Sequence, residues 1–327
     1  MLTATIYSLN QSDLENQPKV LVTGSGGQIG TELVRTLRKM HGAASVIATD
    51  LLPSNESLES EGLYSQLDVT DSTRLAELLQ EHKVTQVYHL AALLSSKGEK
   101  NIDLTWMINF EAHRKLLEAC HSNGVDRVFF PSTIGIYGPT TPRQKTPQHT
   151  SFQPSTVYGI SKITGELWNQ YYRTRYGLDV RSLRYPGVIS YEVIPAGGTT
   201  DFSVEMFFDL KRKGKYVSYL KKDTRLPMLY MPDVINATMS LMQADKSQLS
   251  TSMGYNISGF SLTPEELFTE LRKYYPDATI SYEPDARQQI ADSWSETIDD
   301  SVASSDWGWK PAYDMQAMVK DMVKHVV

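Results

Sequence analysis

The sequence predicts an α/β fold: a doubly wound parallel sheet followed by a smaller C-terminal α/β lobe. Three observations predict it. From residue 18 to residue 187, short β-branched runs alternate with stretches of helical period, the rhythm of parallel strands joined by crossover helices. The first of these runs stops at a glycine-rich loop that opens a helix. From about residue 186 the rhythm is lost, and the remaining pieces read as a small lid-like lobe, some of whose elements return to the main sheet.

Lys19-Val20-Leu21-Val22-Thr23 is the first strand. Gly24-Ser25-Gly26-Gly27-Gln28-Ile29-Gly30 follows, then the periodic Leu33, Leu37 and Met40 of a helix. In that context Gly24 permits the tight turn, and Gly27 lets the backbone approach a pyrophosphate. Gly30 lets the helix pack close to the strand, with phosphates on the helix N-terminus. A second strand over 45–49 ends at Asp50. An acid there bonds both hydroxyls of an adenosine ribose and repels a 2′-phosphate. Leu51 and Leu52 follow instead of an arginine, which favours NAD over NADP.

A third strand over 63–67 precedes Asp68-Val69-Thr70, and Asp71 or Ser72 can cap a helix whose apolar face is Leu75, Leu78 and Leu79. The fourth strand, 84–90, ends in the small residues Ala91 and Ala92, which suit the crevice where a dinucleotide lies. A polar loop over 95–101 leads into a helix over about 104–121 that carries Asn109. The fifth strand, 128–130, runs into Pro131-Ser132-Thr133, so two hydroxyls lie where open α/β sheets place their ligands. A Pro/Thr/Gln-rich loop over 139–154 is expected to cover the site. The sixth strand, 180–183, leads to Arg184-Tyr185-Pro186-Gly187.

Between them, Tyr158 and Lys162 stand four residues apart on one helix face. A phenol is no base at its ordinary pKa near 10, and bringing it to neutrality takes roughly 4 kcal/mol. A cation one turn away works in that direction.

In the C-terminal part, Pro195-Ala196-Gly197-Gly198-Thr199-Thr200-Asp201 reads as a mobile loop before a helix rich in Phe and Met. Thr263-Pro264-Glu265-Glu266 is a capping box with Pro at the first helical position, and 279–283 is one more strand. The domain reading is therefore 1–17 as a flexible extension, 18–187 as the dinucleotide-binding domain, and 188–327 mainly as the substrate-binding lobe.

The bulk numbers narrow the class. The net charge of −6 argues against nucleic acid or an acidic membrane as partner. The one cysteine, Cys120, excludes an intrachain disulfide, and its setting Leu116-Leu117-Glu118-Ala119-Cys120 reads as an apolar helix face. No apolar run approaches the ~20 residues of a membrane span. Residues 1–17 hold no Lys or Arg, unlike a signal or transit peptide, so the cytoplasm is the expected location. No metal site is expected.

Gly24-x-x-Gly27-x-x-Gly30, Asp50, Thr133 and Tyr158-x-x-x-Lys162 resemble the extended short-chain dehydrogenase/reductases, with their Rossmann-type sheet, in the NAD-dependent epimerase/dehydratase superfamily. A narrower likeness lies in the lobe. Pro154-Ser155-Thr156-Val157-Tyr158-Gly159, Gly197-Gly198-Thr199-Thr200-Asp201, Leu226-Pro227-Met228-Leu229-Tyr230-Met231-Pro232-Asp233 and Ile290-Ala291-Asp292-Ser293-Trp294 look like the short-chain type of L-threonine 3-dehydrogenase. The likeness runs from about residue 18 to the C-terminus. One departure is Ala196, where a third consecutive glycine is expected.

The resemblance implies oxidation of L-threonine to 2-amino-3-oxobutanoate with NAD as cofactor. Tyr158 would be the base, with Lys162 lowering its pKa and bonding the nicotinamide ribose. Thr133, with Ser132, would hold the substrate oxygen. The implied cofactor contacts add Gln28, Ile29, Asp68, Val69, Leu90, Ala91, Ala92, Asn109 and Tyr185 to the glycines and Asp50. For the substrate, Ser95 or Ser96 and the Thr199-Thr200 loop would donate to the carboxylate. Asp201 would accept from the ammonium, and Trp294 would close the pocket. Relatives pair two helices across a two-fold axis, which implies a homodimer.

Two rivals stay open. A nucleotide-sugar epimerase or dehydratase must hold a second pyrophosphate. Residues 189–210 offer no Lys or Arg for it, which leaves Arg225 and Arg287. A regulatory NAD-binding protein without chemistry tends to lose the Tyr or the Lys, and both are present here.

Overall fold

The computed structural model describes residues 17–53, 55–193 and 197–326. Most of the 1–17 extension, and Ala196 with it, lie outside those residues. Seven parallel strands form the central sheet in the order β10-β6-β5-β4-β1-β2-β3. They are β1 (Val20–Thr23), β2 (Val46–Asp50), β3 (Tyr64–Gln66), β4 (Gln86–His89), β5 (Arg127–Thr133), β6 (Asp179–Tyr185) and β10 (Tyr255–Asn256). β1 is apolar at Val20, Leu21 and Val22 because helices cover both faces of the sheet, and all three are 0% exposed. The order reverses between β1 and β4, and ligands of such sheets bind outside the carboxyl ends at that reversal.

Chain order and layer order differ at the C-terminal side. β7 (Gly187–Ile189) leaves the main sheet and pairs with β9 (Leu226–Tyr230), which also pairs antiparallel with β11 (Phe260–Leu262). β8 (Lys215–Ser218) pairs with β12 (Thr279–Tyr282). Between them, the two-residue β10 joins β6 and closes the edge of the main sheet. The lobe has its own core, in which Phe202, Phe207, Leu226, Met228 and Leu267 are fully buried. Helix starts follow local chemistry: Asp71 accepts from the amides of Thr73 and Arg74, and Thr263 with Glu266 completes the capping box.

Two expectations change. The helix read at 104–121 runs from Ile102 to Ser122 and widens into a π turn over Met107–Glu111. That turn faces Asn109 toward the loop after β4. The 139–154 loop does not cover the crevice. It pairs Thr146 with Ile298, and Gln148 bonds Gly254 and Asn256, so it packs the lobe onto the sheet edge. Among the described residues no helix is long and apolar enough to cross a membrane.

Candidate active site

The glycine loop sits where β1 meets the Gln28–His41 helix. Gly24 has φ +67°, and a Cβ on it would stand 2.7 Å from the Ala91 amide nitrogen. A Cβ on Gly30 would stand 2.3 Å from the Gly24 carbonyl oxygen, so strand and helix meet without room for a side chain. The helix N-cap, Gly27, offers no side-chain acceptor. Its first N–H groups are left to an anion, as a dinucleotide pyrophosphate requires. The residues present therefore fit a bound dinucleotide.

Asp50 ends β2 beside this loop. Its Oδ2 accepts from Gly26 N at 2.9 Å and its Oδ1 from Leu51 N at 2.8 Å, so the acid also fixes the loop it serves. Gly24, Gly27, Gln28, Ile29, Gly30, Leu90, Ala92 and Tyr185 line the main crevice. Asp50, Asp68, Val69, Ala91 and Asn109 do not. Asp50 ends β2, and Asp68 and Val69 follow β3, at the outer strands of the sheet. Asp68 is exposed, and its Oδ1 is taken by the amide and hydroxyl of Thr70 at 2.9 and 2.7 Å. Asn109 is buried and spends both ends of its amide on Leu93, at 2.8 and 2.9 Å, so it shapes the β4 loop. Gln28 turns its side chain to Ser190 Oγ at 2.8 Å and ties the glycine loop to the segment after β7.

Tyr158 and Lys162 enter from the Val157–Tyr176 helix, capped by Thr156 Oγ1 on Gly159 N at 3.0 Å. Gly159 and Gly165 let that helix press on the fifth strand. A Cβ on Gly159 would stand 2.1 Å from Gly135 O, and one on Gly165 2.6 Å from the Phe130 ring. Tyr158, Lys162, Ser132 and Thr133 consequently line one wall of the crevice. Lys162 Nζ donates to Pro131 O at 2.9 Å and lies 4.6 Å from the Phe130 ring centroid and 5.8 Å from that of Tyr158.

The electrostatics differ from the simple picture of a lysine acidifying a phenol. Burial pushes the Tyr158 hydroxyl up to about 12, with the neighbouring Thr133 side chain pulling it down. Burial also brings the Lys162 ammonium down to about 7. Desolvation disfavours both charges. The sign is testable in thermal melts. Between about pH 7 and its ordinary 10.5, unfolded Lys162 binds a proton that folded Lys162 does not, so this group makes stability rise with pH. Above about pH 9 this rise is opposed, because burial holds the Cys120 thiol and the Tyr158 phenol protonated only in the folded chain. Between pH 7 and 9 the Tm of the wild type is expected to climb relative to Lys162→Met. Parallel Tm curves for the two proteins would count against the buried charge.

The opposite wall carries Ser95, Thr199, Thr200, Asp201 and Trp294. Ser95 Oγ and Thr199 Oγ1 meet on this wall at 3.4 Å. Ser96 does not line it. Trp294 is 4% exposed and belongs to the lobe core as well. Asp201 neither caps the Phe202–Lys213 helix nor stands free. Its Oδ2 accepts from Gly197 N at 3.0 Å and Gly198 N at 2.6 Å, which clamps the loop carrying Thr199 and Thr200. Arg225 bonds Ser261 O and Glu266, while Arg287 bonds Asp285 and covers the Tyr219 ring. Neither lines the crevice, where Lys162 is the basic residue among those described.

Sequence reasoning passed over a buried polar cluster behind β5, formed by Glu166, Arg184, Gln148 and Asn256. A signal was present: Glu166 lies four residues after Lys162, on the same helix face. Buried His89 and His113 were passed over too. They stack at 5.4 Å, and desolvation holds His113 down to about 3, so both are neutral packing groups.

A glycine cradle and a Tyr–Lys pair on one crevice, with an acid ending the next strand beside the glycine loop, define a dinucleotide-binding enzyme of the extended short-chain dehydrogenase/reductase type. The chain belongs to the NAD dependent epimerase/dehydratase family, whose pattern matches residues 20–258. It is 43% identical over 310 residues to an uncharacterized epimerase/dehydratase of Staphylococcus haemolyticus, covering 94% of this chain and 97% of the relative. Among solved structures it is similar to a GalE-like L-threonine dehydrogenase from Cupriavidus necator in its holo form, with TM-score 0.92 and 45% identity over 94% of this chain and 99% of that one. It is similar also to a monomeric L-threonine 3-dehydrogenase from a metagenome, with TM-score 0.91 and 41% identity over 94% and 98%.

Proposed function

We propose that the protein oxidises L-threonine to 2-amino-3-oxobutanoate with NAD⁺. The observation that carries the reading is one crevice shared by Tyr158, Lys162, Ser132 and Thr133 on the sheet side and Thr199, Thr200 and Trp294 on the lobe side. When bound, the oxidised nicotinamide supplies the hydride acceptor. Taking hydride from a carbinol carbon requires removal of its hydroxyl proton, and Tyr158 takes that proton. Lys162 favours the phenolate whenever its ammonium is charged. Thr133 holds the substrate oxygen in line; its Oγ1 accepts from Gly135 N at 3.1 Å, which leaves its own proton to donate to the oxygens beside it, that of Tyr158 included. The hydroxyls of Ser95, Thr199 and Thr200 suit a carboxylate. Among the described residues no arginine lines this crevice to hold a second pyrophosphate, which favours a small zwitterion over a nucleotide sugar. The test is NADH formation at ~340 nm from purified protein, NAD⁺ and L-threonine. Turnover of a UDP-sugar with none of threonine would overturn the assignment.

Asp50 carries the preference for NAD⁺. Asp50→Ala is expected to weaken NAD⁺ binding about tenfold and narrow the gap to NADP⁺, measured by fluorescence titration of both. An unchanged affinity ratio would remove Asp50 from that role.

The homodimer belongs to this reading as well. Ile102, Met107, Ile160, Leu167 and Tyr171 are exposed along the two neighbouring helices, an apolar face that a second copy would bury. Light scattering is expected to give twice the 36.8 kDa chain mass, and Leu167→Glu to lower it. A wild-type monomer would end the proposal.

A further inference from the structure

The buried pair Glu166–Arg184 stands directly behind the end of β5, and the chemistry above makes no use of it. Glu166 is 0% exposed and Arg184 1%. Every contact Glu166 makes is with a donor. Arg184 Nη2 approaches at 2.9 Å and its Nε at 3.1 and 3.3 Å, Gly254 N lies at 3.0 Å, and the Ser132 hydroxyl completes the set. Arg184 is held in turn by Gln148 O at 2.9 Å and Asn256 Oδ1 at 3.1 Å. The burial that opposes its charge is outweighed by Glu166, which keeps the guanidinium more basic than usual.

Such a carboxylate decides what Ser132 can do. A hydroxyl has one proton and two lone pairs. The proton of Ser132 is committed to Glu166, so only lone pairs are left for a ligand. Thr133, one residue on, is wired in the opposite sense: a lone pair is committed to Gly135 N, and the proton is left. Both residues line the crevice, and what their hydroxyls have left to offer is a lone pair at Ser132 and a proton at Thr133.

We infer that Glu166 and Arg184 are positioning residues that hold Ser132 as a hydrogen-bond acceptor beside Thr133 as donor, and that this acceptor receives the ammonium of an α-amino-β-hydroxy acid. The inference deepens the threonine reading and rests on it. Among the described residues Asp201 is the one carboxylate lining the crevice, and it already serves the amides of Gly197 and Gly198. The hydroxyl polarised by Glu166 takes the place of a free carboxylate at the ammonium.

The experiment compares the KM of L-threonine with the inhibition constant of (R)-3-hydroxybutanoate, which keeps the carbinol and lacks the ammonium. In Ser132→Ala the KM is expected to rise about tenfold, with the inhibition constant within about twofold of wild type. Glu166→Gln is expected to shift the same ratio in the same direction, and Glu166→Gln/Ser132→Ala to be no worse than Ser132→Ala. NAD⁺ affinity, unchanged throughout, separates this from general damage. An unchanged ratio in Ser132→Ala overturns the inference, and so do effects of the two substitutions that multiply. Should Glu166→Gln fail to fold, Arg184→Lys takes its place in the cycle, because it keeps the charge without the two-armed contact. A wild type that makes no NADH from threonine removes the parent reading. A wild type that does, with multiplying variants, removes this inference alone.

Discussion

Tyr158→Phe is expected to lower kcat about a thousandfold while NAD⁺ binding stays within about threefold of wild type. The substitution deletes one oxygen and leaves the ring against the crevice wall. The glycine cradle and Asp50, which hold the dinucleotide, are untouched, and Lys162 keeps its bond to Pro131 O. What is lost is the hydroxyl placed beside Thr133 that takes the proton from the carbinol. Steady-state rates and a fluorescence titration with NAD⁺ separate the two effects. Retention of more than about a tenth of the activity would remove Tyr158 as the base. The pH profile adds a second reading. The free-enzyme phenol is pushed up to about 12, and a base must be ionised to act. In the wild type kcat/KM is therefore expected to climb with pH across the alkaline range, and in Tyr158→Phe that climb is expected to vanish.

The parts of this site that could be read from sequence are those fixed by local chain geometry. A β-branched run stopping at Gly24, a helix beginning at Gln28 and an acid at the end of the next strand follow from spacing and backbone sterics. Tyr158 and Lys162 share a helix face for the same reason. The parts that could not be read depend on who meets whom across long chain separations. Asn109 carries the right chemistry to touch a ligand, yet the π turn aims its amide at Leu93, which no periodicity announces. Asp201 sits at the position of a helix cap, but its carboxylate closes back on the loop before it, and Gly198 is needed there because a Cβ would stand 2.5 Å from Asp201 Oδ1. The 139–154 loop has the composition of a flap, and only the partners of Gln148 at 254–256 show that it serves as mortar between lobe and sheet. The phenol's basicity was the largest difference. Spacing brings a cation near, but the balance between that charge and the loss of water depends on burial, and here burial prevails.

Arg184→Leu is expected to cost about 3–5 kcal/mol of folding stability, the largest single loss among these variants. The cost comes from what is left behind more than from the contact removed. Glu166 would remain 0% exposed with its counter-charge gone, keeping Gly254 N and Ser132 as donors. Gln148 O would lose its partner from the same guanidinium, and Asn256 one of its donors. Those groups belong to the 139–154 loop and to β10, the strand that closes the sheet edge, so the loss falls where lobe and sheet are joined. The mechanism makes a sharper demand than the magnitude. If the penalty is an orphaned buried charge, removing that charge as well should recover part of it, and Glu166→Leu/Arg184→Leu should be more stable than Arg184→Leu alone. The recovery should be incomplete, because Gly254 N and Gln148 O still lack partners in the double variant. Urea unfolding of the three proteins decides it. A double variant less stable than Arg184→Leu would mean that the pair contributes through shape and packing, and that an unpaired carboxylate behind Ser132 is not what the fold avoids.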